Sequence, residues 1–322
     1  MREASVQFHD ELPDHVNFRE EALLGLRARP RQLSPKFFYD RHGSELFDAI
    51  CRLPEYYLTR TEMAILRANS AALAPLAAAP SVLIELGSGA SQKIRLLLDT
   101  LRPRAYVGVD ISRDFLLQST RRLAADYPWL KVYAVCADFC EPLQLSCCAP
   151  ELKRLAFFPG SSIGNFAPEE AVRFLHRLRD VLGADGALLI GVDLKKDRRV
   201  LHAAYNDAQG VTAEFNLNLL RRLQRELGAQ LDPGGFRHES FYNDSLGRIE
   251  MHLVSRRAQQ IRIGHEVFQF EKDERVHTEN SYKYSIEEFQ ALAHRAGYNP
   301  ESVWTDAERL FSVHCLRVDA HV

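Results

Sequence analysis

Three carboxylates and one glycine-rich turn stand where apolar runs of this chain end. In an open α/β sheet those are the places from which strands present polar groups to a ligand. The first is in Val82-Leu-Ile-Glu-Leu-Gly-Ser-Gly-Ala-Ser-Gln-Lys93, where an apolar run meets Gly87, Ser88 and Gly89 before a helical pattern begins. Such a turn exposes backbone N–H groups at a helix N-terminus, where anionic or strongly polar ligand groups are stabilised. Glycines there take positive φ without strain and let the backbone approach a ligand. Glu85 puts an acid at the strand end, where the polar edge of a nucleotide-type ligand would lie. Asp110 closes the next apolar run, 21 residues after Gly89, the separation expected of an acid that reads a ribose diol. Asp138 and the Gly160–Asn165 turn end two further runs. Taken singly, the glycine pair is also an ordinary strand-to-helix turn, and each aspartate is also a helix cap. Together they point to a nucleoside site.

The elements that must carry these residues alternate. Strands are expected at Val82–Leu86, Ala105–Val109, Lys131–Cys136, Arg154–Phe158 and Ala187–Val192, the last running into Asp193. Helices are expected at Ser91–Leu101, 114–127 and Pro168–Leu182. Short apolar strands alternating with helices predict a parallel sheet covered on both faces. An alanine- and leucine-rich helix over Thr61–Ala78 leads into it. After Leu194 the texture changes. Two helices (Arg198–Ala208 and Thr212–Leu227) precede strand-like alternation at Phe236–Tyr242, Arg248–Ser255 and Gln260–Phe270, which together read as a large insertion. The sheet pattern then resumes with a helix at Ser285–Ala296 and paired strands at Ser302–Thr305 and Leu310–Val318. At the other end, residues 1–35 read as a polar lead-in with one helix from Phe18 to Leu26.

Between lead-in and sheet lies Ser34–Glu62, unusually dense in aromatics. Leu46, Phe47, Ile50 and Leu53 follow helical spacing, the pattern of core packing. Tyr39, Tyr56 and Tyr57 fall outside that stripe, where a loop can aim them at a ligand.

The 322 residues carry a net charge of −2, with 46% hydrophobic and 26% charged residues, and no basic block marks a nucleic-acid or anionic-membrane partner. No run reaches the roughly 20 apolar residues that span a bilayer, and the first ten residues lack a signal-peptide core, so a cytoplasmic location is expected. Cys136, Cys140, Cys147 and Cys148 lack paired ligand spacing, so reduced thiols and no metal are expected.

A dinucleotide fingerprint needs a third glycine where this chain has Gln92, and no Gly-Lys-Ser/Thr of a phosphate loop follows. The Glu-x-Gly-x-Gly run, the later acids and the closing helix with two strands instead resemble the class I S-adenosylmethionine (SAM)-dependent methyltransferases. That resemblance implies a Rossmann-like α/β sheet. It gives Asp110 the ribose, Asp138 and Phe139 the adenine, and Gly87, Ser88, Gly89 and Lys93 the methionine portion.

A narrower resemblance covers the chain from about residue 20 to its end. Ser34–Glu62, with Leu53-Pro-Glu-Tyr-Tyr57, the Gly160-Ser-Ser-Ile-Gly-Asn-Phe166 turn, Tyr205–Thr212, Arg248-Ile-Glu-Met251 and His277–Ser285 are similar to the histidine-specific Nα-methyltransferases of ergothioneine biosynthesis. The resemblance implies two domains. The SAM-binding methyltransferase domain takes 62–194 plus 282–322, and a smaller α+β substrate-binding domain takes 1–61 plus 195–281. It implies that Tyr56, Asn165, Tyr205, Glu279 and Ser281 contact the amino acid, while Tyr39, Phe47, Thr212 and Met251 shape the space around it. Tyr39 and Asn165 would border the reacting nitrogen. Asn280 stands where some relatives have an apolar residue, which adds an amide beside the imidazole and bears on specificity.

The implied activity is SAM-dependent Nα-trimethylation of L-histidine to its betaine, hercynine, by a monomer. Asn165 and Tyr205 can donate to a carboxylate, and Glu279 and Ser281 can serve the two imidazole nitrogens. The alternatives are an N-methyltransferase for another aromatic amino acid or amine, and a module that only binds cofactor. A module of that kind has no use for Glu279, Ser281 and Tyr205.

Overall fold

A computed structural model describes residues 6–11, 18–77, 81–89, 92–143, 145 and 151–319. The chain divides into two compact units: 1–13, 58–195 and 282–322 form one, and 14–57 with 196–281 form the other.

The first unit is built on an eight-stranded sheet. Its order is Val6–Asp10, Lys131–Cys136, Ala105–Asp110, Ser81–Leu86, Lys153–Phe158, Ala187–Asp193, Phe311–Val318 and Tyr298–Thr305. The first six strands run parallel, Phe311–Val318 runs antiparallel to both of its neighbours, and Tyr298–Thr305 runs in the direction of the first six. From Ser81–Leu86 the chain steps outward through two strands, then returns to pair Lys153–Phe158 on the other side of the same strand. The strand order therefore reverses there, and the crevice at such a reversal is where open α/β sheets bind ligands. The Gly87 turn sits at that point.

Apolar side chains drive the layering. Phe174, Leu175 and Leu178 of Pro168–Leu182 and Phe289, Leu292 and Ala293 of Ile286–Arg295 bury against Ile84, Leu86, Phe158, Ile190 and Val192. Each fully buried side chain of this size stabilises by about 1.5–3 kcal/mol. Local signals set the ends. Ser285 accepts from the Glu288 N–H at 3.1 Å while Glu288 accepts from the Ser285 N–H at 2.7 Å, a reciprocal capping box.

Two expectations for this unit change. Val6–Asp10 is not lead-in: it pairs parallel with Lys131–Cys136, and Val6 and Phe8 pack on Leu116, Ala134 and Cys136. Residues 1–13 thus belong to the sheet unit rather than to the second unit. The helix expected from Thr61 begins at Tyr57, and the sheet unit takes it from Leu58. The start expected at Ser91 lies outside the described residues, from which the helix Gln92–Leu101 continues.

The second unit has a four-stranded sheet ordered Arg31–Gln32, Arg275–Tyr282, Arg248–Ser255, Phe236–Asn243. Helices Phe18–Arg27, Arg41–Ile50, Arg198–Tyr205 and Val211–Leu227 accompany it. Asp40 caps Arg41–Ile50 by accepting the Gly43 N–H at 2.8 Å, and also accepts from Asn218 Nδ2 at 2.8 Å. It thereby ties that helix to Val211–Leu227, and ring stacking of Phe38 on Phe215 (4.4 Å between centroids) completes the seam. The run expected at Gln260–Phe270 is a hairpin, Gln259–Ile263 against Glu266–Phe270. Arg275–Tyr282, which carries the Glu279–Ser281 motif, is a full strand.

Candidate active site

In the first unit, the chain leaves Leu86 through Gly87 and Gly89 at φ +70° and +43°, the left-handed region where a side chain is strained. The Gly87 and Ser88 N–H groups both donate to Val109 O, at 2.8 and 3.2 Å. Asp110 closes the turn from the neighbouring strand. Its carboxylate accepts the Gly89 N–H at 3.1 Å and the Ser112 N–H at 2.9 Å. Burial pushes its carboxyl upward, and the N–H groups of Ser112, Gly89 and Ile111 pull it back. Asp138 is buried and accepts the Cys140 N–H at 2.9 Å. The next residue, Phe139, packs its ring edge on Phe158, 5.5 Å between centroids, and a Cβ placed on Gly87 would lie 3.8 Å from it. The turn, Asp110 and the Phe139 ring are thus assembled in one unit.

Glu85 has another role than the ligand-facing one expected. It is 2% exposed and accepts from the Tyr106 hydroxyl at 2.6 Å. Burial raises its pKa to about 8, with Tyr106 and Lys93 opposing the rise and Asp110 and Glu62 adding to it. Lys93 points its ammonium at Glu62, with Nζ–Oε2 at 2.5 Å. Asn165 ends the short turn Ser162–Asn165, half-buried. Upstream of it, Ser161 stands at φ +60° with its Oγ accepting the Asp193 N–H at 2.9 Å.

In the second unit, Tyr39, Phe47, Tyr56 and Phe215 form one aromatic cluster. Tyr39–Phe47, Tyr39–Phe215 and Phe47–Tyr56 meet edge-on at 5.7, 5.8 and 6.3 Å. Burial drives the Tyr56 phenol well above its ordinary pKa, and Tyr205, Cys51, Tyr39 and Glu279 push the same way. Tyr56 is therefore a neutral donor at physiological pH, within electrostatic reach of Glu279. Tyr205 donates from its hydroxyl to Ser281 Oγ at 2.8 Å, and both side chains are buried. Strand alternation sends Glu279 and Ser281 to one face.

The same alternation removes Asn280 from that group. Its Oδ1 accepts from His277 Nε2 at 2.9 Å, so the amide braces the strand instead of standing beside Glu279. Thr212 is buried in the first turn of Val211–Leu227, its N–H donating to Asp207 Oδ1 at 2.8 Å. Met251 is buried on the adjacent strand, with its carbonyl accepting from Thr278 Oγ1 at 3.0 Å.

Glu62, Tyr106 and the buried Asp193–Lys283 ion pair (2.7 Å) are participants that the motifs did not name. A signal for Glu62 exists. It stands four residues after Leu58 and three before Ile65, inside the apolar stripe of its helix, where a surface carboxylate does not belong. Among the described residues no group of three or more His, Cys, Asp or Glu is placed to hold a metal ion, and no helix is long and apolar enough to cross a membrane. Burial raises the Cys136 thiol to about 12, and Cys147 and Cys148 lie outside the described residues.

Comparison with known proteins places this geometry. Residues 18–318 match the family model of the SAM-dependent, histidine-specific methyltransferases. The histidine N-alpha-methyltransferase of Mycolicibacterium smegmatis is 42% identical over 295 residues, covering 89% of this chain and 91% of that protein. The protein of the same name from Mycobacterium tuberculosis is 40% identical over 302 residues, covering 91% and 92%. Ergothioneine biosynthesis protein 1 of Neurospora crassa is 32% identical over 324 residues, covering 94% of this chain and 35% of that protein.

Proposed function

The chain belongs to the SAM-dependent, histidine-specific methyltransferases, and from that membership we propose that it trimethylates the α-amino nitrogen of L-histidine to give hercynine, a step of ergothioneine biosynthesis. We propose further that it works as a cytoplasmic monomer. The observation that carries the substrate reading is the buried polar set of the second unit. Tyr205 bonds to Ser281, and the buried Tyr56 phenol, packed on Phe47, is held neutral by burial, with the Glu279 charge adding to the effect. Four polar side chains at 8% exposure or less stabilise a fold poorly but suit a small polar ligand.

The first unit fits the cofactor. A turn with two positive-φ glycines, a carboxylate closing it and an aromatic ring beside it match a ligand with a methionine part, a ribose diol and a purine. When bound, S-adenosylmethionine supplies an electrophilic methyl on a positively charged sulfur. Asp110 accepts from the ribose diol, Asp138 and Phe139 hold the purine, and Gly87, Ser88, Gly89 and Lys93 receive the methionine portion. In the second unit, Glu279 accepts from one imidazole N–H and Ser281 serves the other ring nitrogen. Tyr205, whose one O–H is given to Ser281 in the structure, turns it to the amino-acid carboxylate when the ligand enters, and Asn165, a residue of the first unit, keeps the donor role that the family resemblance implies. Phe47, Thr212 and Met251 exclude water and set the volume.

Positioning accounts for most of such a catalysis, with the reacting atoms held about 3–3.5 Å apart. The nucleophile is the unprotonated amine, and a carboxylate beside it would favour the ammonium form. A neutral phenol such as that of Tyr56 avoids that penalty, and the Tyr39 ring stabilises the methylated ammonium by cation–π contact. The test is to incubate the protein with S-adenosylmethionine and each amino acid separately and to read methyl gain by mass spectrometry. Gain on histidine is expected. Gain on tryptophan or tyrosine but not histidine would select the alternative acceptor class.

A further inference from the structure

Helix Tyr57–Ala68 places one carboxylate in the interior of the first unit. Glu62 is 0% exposed, and its Oε2 accepts from Lys93 Nζ at 2.5 Å and from the Gly160 N–H at 2.9 Å. The strand Ala187–Asp193 leaves room for it: a Cβ on Gly191 would stand 2.1 Å from Glu62 Oε1. Three elements thus converge on this carboxylate. They are the helix that follows the Gly87 turn, the turn that follows Lys153–Phe158, and the strand beside it.

Lys93 has its side chain 15% exposed, and its charge reaches Glu85 at the strand end. A Cβ on Gly160 would lie 3.5 Å from its Nζ. Desolvating two charges is costly, and a well-packed apolar pair would serve folding at least as well. A use for the charge itself therefore has to be found, and the ligand of the adjoining turn provides one. Methyl transfer converts a sulfonium, positively charged at sulfur, into the uncharged thioether of S-adenosylhomocysteine. An uncompensated ammonium in the turn would oppose the first ligand and leave the second almost untouched.

We propose that Glu62 is a positioning residue that neutralises Lys93, so that the cofactor site does not disfavour the sulfonium form against its thioether product. The inference rests on the SAM-dependent reading above and assigns Glu62 a part in setting the balance between cofactor and product. Glu62 also fixes the Gly160 end of the turn that leads to Asn165.

Calorimetric dissociation constants for S-adenosylmethionine and S-adenosylhomocysteine test this with the whole chain. Glu62→Gln keeps an acceptor for the Gly160 N–H and removes the charge. It is expected to weaken S-adenosylmethionine about tenfold more than S-adenosylhomocysteine, the scale of a partly screened charge–charge interaction. The Glu62→Gln/Lys93→Gln double variant is expected to return the ratio to that of the unaltered protein. Lys93→Met, which leaves the carboxylate alone, is expected to move the ratio the opposite way, and it carries the test if Glu62→Gln does not fold. Equal losses for both ligands in Glu62→Gln, or an unchanged ratio in Lys93→Met, would overturn the proposal. An unaltered protein that binds neither ligand would instead overturn the SAM-dependent reading.

Discussion

Replacing Glu279 by Ala removes the carboxylate assigned to the imidazole N–H while leaving the first unit untouched. A hydrogen bond to a charged group contributes about 1.5–3 kcal/mol, so the KM for histidine should rise about 10- to 100-fold with the dissociation constant for S-adenosylmethionine unchanged. Equal loss for both ligands would contradict the role. Glu85 gives a different readout. Its carboxyl titrates near 8 when folded, against 4.5 for an ordinary glutamate. A raised folded pKa means that its stabilising contribution is complete below about pH 4.5 and is lost as pH rises through about 8. Glu85→Gln should therefore gain in Tm relative to the unaltered protein as pH goes from 5 to 8, and a pH-independent difference would exclude the buried-carboxyl explanation. At this scale the sequence was readable where a polar residue closes an apolar run. Asp110 ends its strand, as its apolar run led one to expect, and accepts the Gly89 N–H. Glu85 and Asn280 were not readable, because the neighbours that engage them, Tyr106 and His277, are selected by strand register and local packing rather than by a motif.

Elements position these side chains through their ends. Asp207 accepts the N–H groups of Val211 and Thr212 at 2.9 and 2.8 Å, fixing where the helix that carries Thr212 and Phe215 begins. Asp207→Ala should lower stability by about 1–2 kcal/mol, read as a fall in Tm, and should raise the KM for histidine more than that for S-adenosylmethionine. Gly87→Ala tests the opposite end. Its Cβ would meet nothing nearer than Phe139 at 3.8 Å, so its cost is backbone strain at φ +70°, about 1–2 kcal/mol, and the loss should fall on S-adenosylmethionine affinity. Most elements were legible because their apolar periods are long. Pro168–Leu182 and Arg248–Ser255 begin and end where the pattern does. Val6–Asp10 was missed because a five-residue edge strand offers only Val6 and Phe8 to the core. The break in Gln260–Phe270 was missed because Gly264-His265 is a weak turn signal inside an otherwise strand-like run.

At the scale of the whole molecule, a parallel sheet with its strand-order reversal at Ser81–Leu86 brings the Gly87 turn, Asp110, Asp138 and Phe139 together from separate segments. Periodicity exposed the parallel sheet and its polar strand ends, whereas the residues assigned to the substrate were picked out only through family motifs, since no spacing rule joins Tyr56 to Glu279. The closing part of the chain is anchored in the sheet unit by Lys283, fully buried against Asp193. Lys283→Ala leaves that carboxylate buried without its countercharge and should cost about 3–5 kcal/mol. Asp193→Leu/Lys283→Met should recover most of the loss in Tm. The measurement that bears most directly on the function is the position of the transferred methyl groups. With methyl-¹³C S-adenosylmethionine and histidine, NMR of the product should show three equivalent methyls on a quaternary α-nitrogen and an unmodified imidazole ring. Methyl groups on a ring nitrogen, or none on histidine, would contradict it.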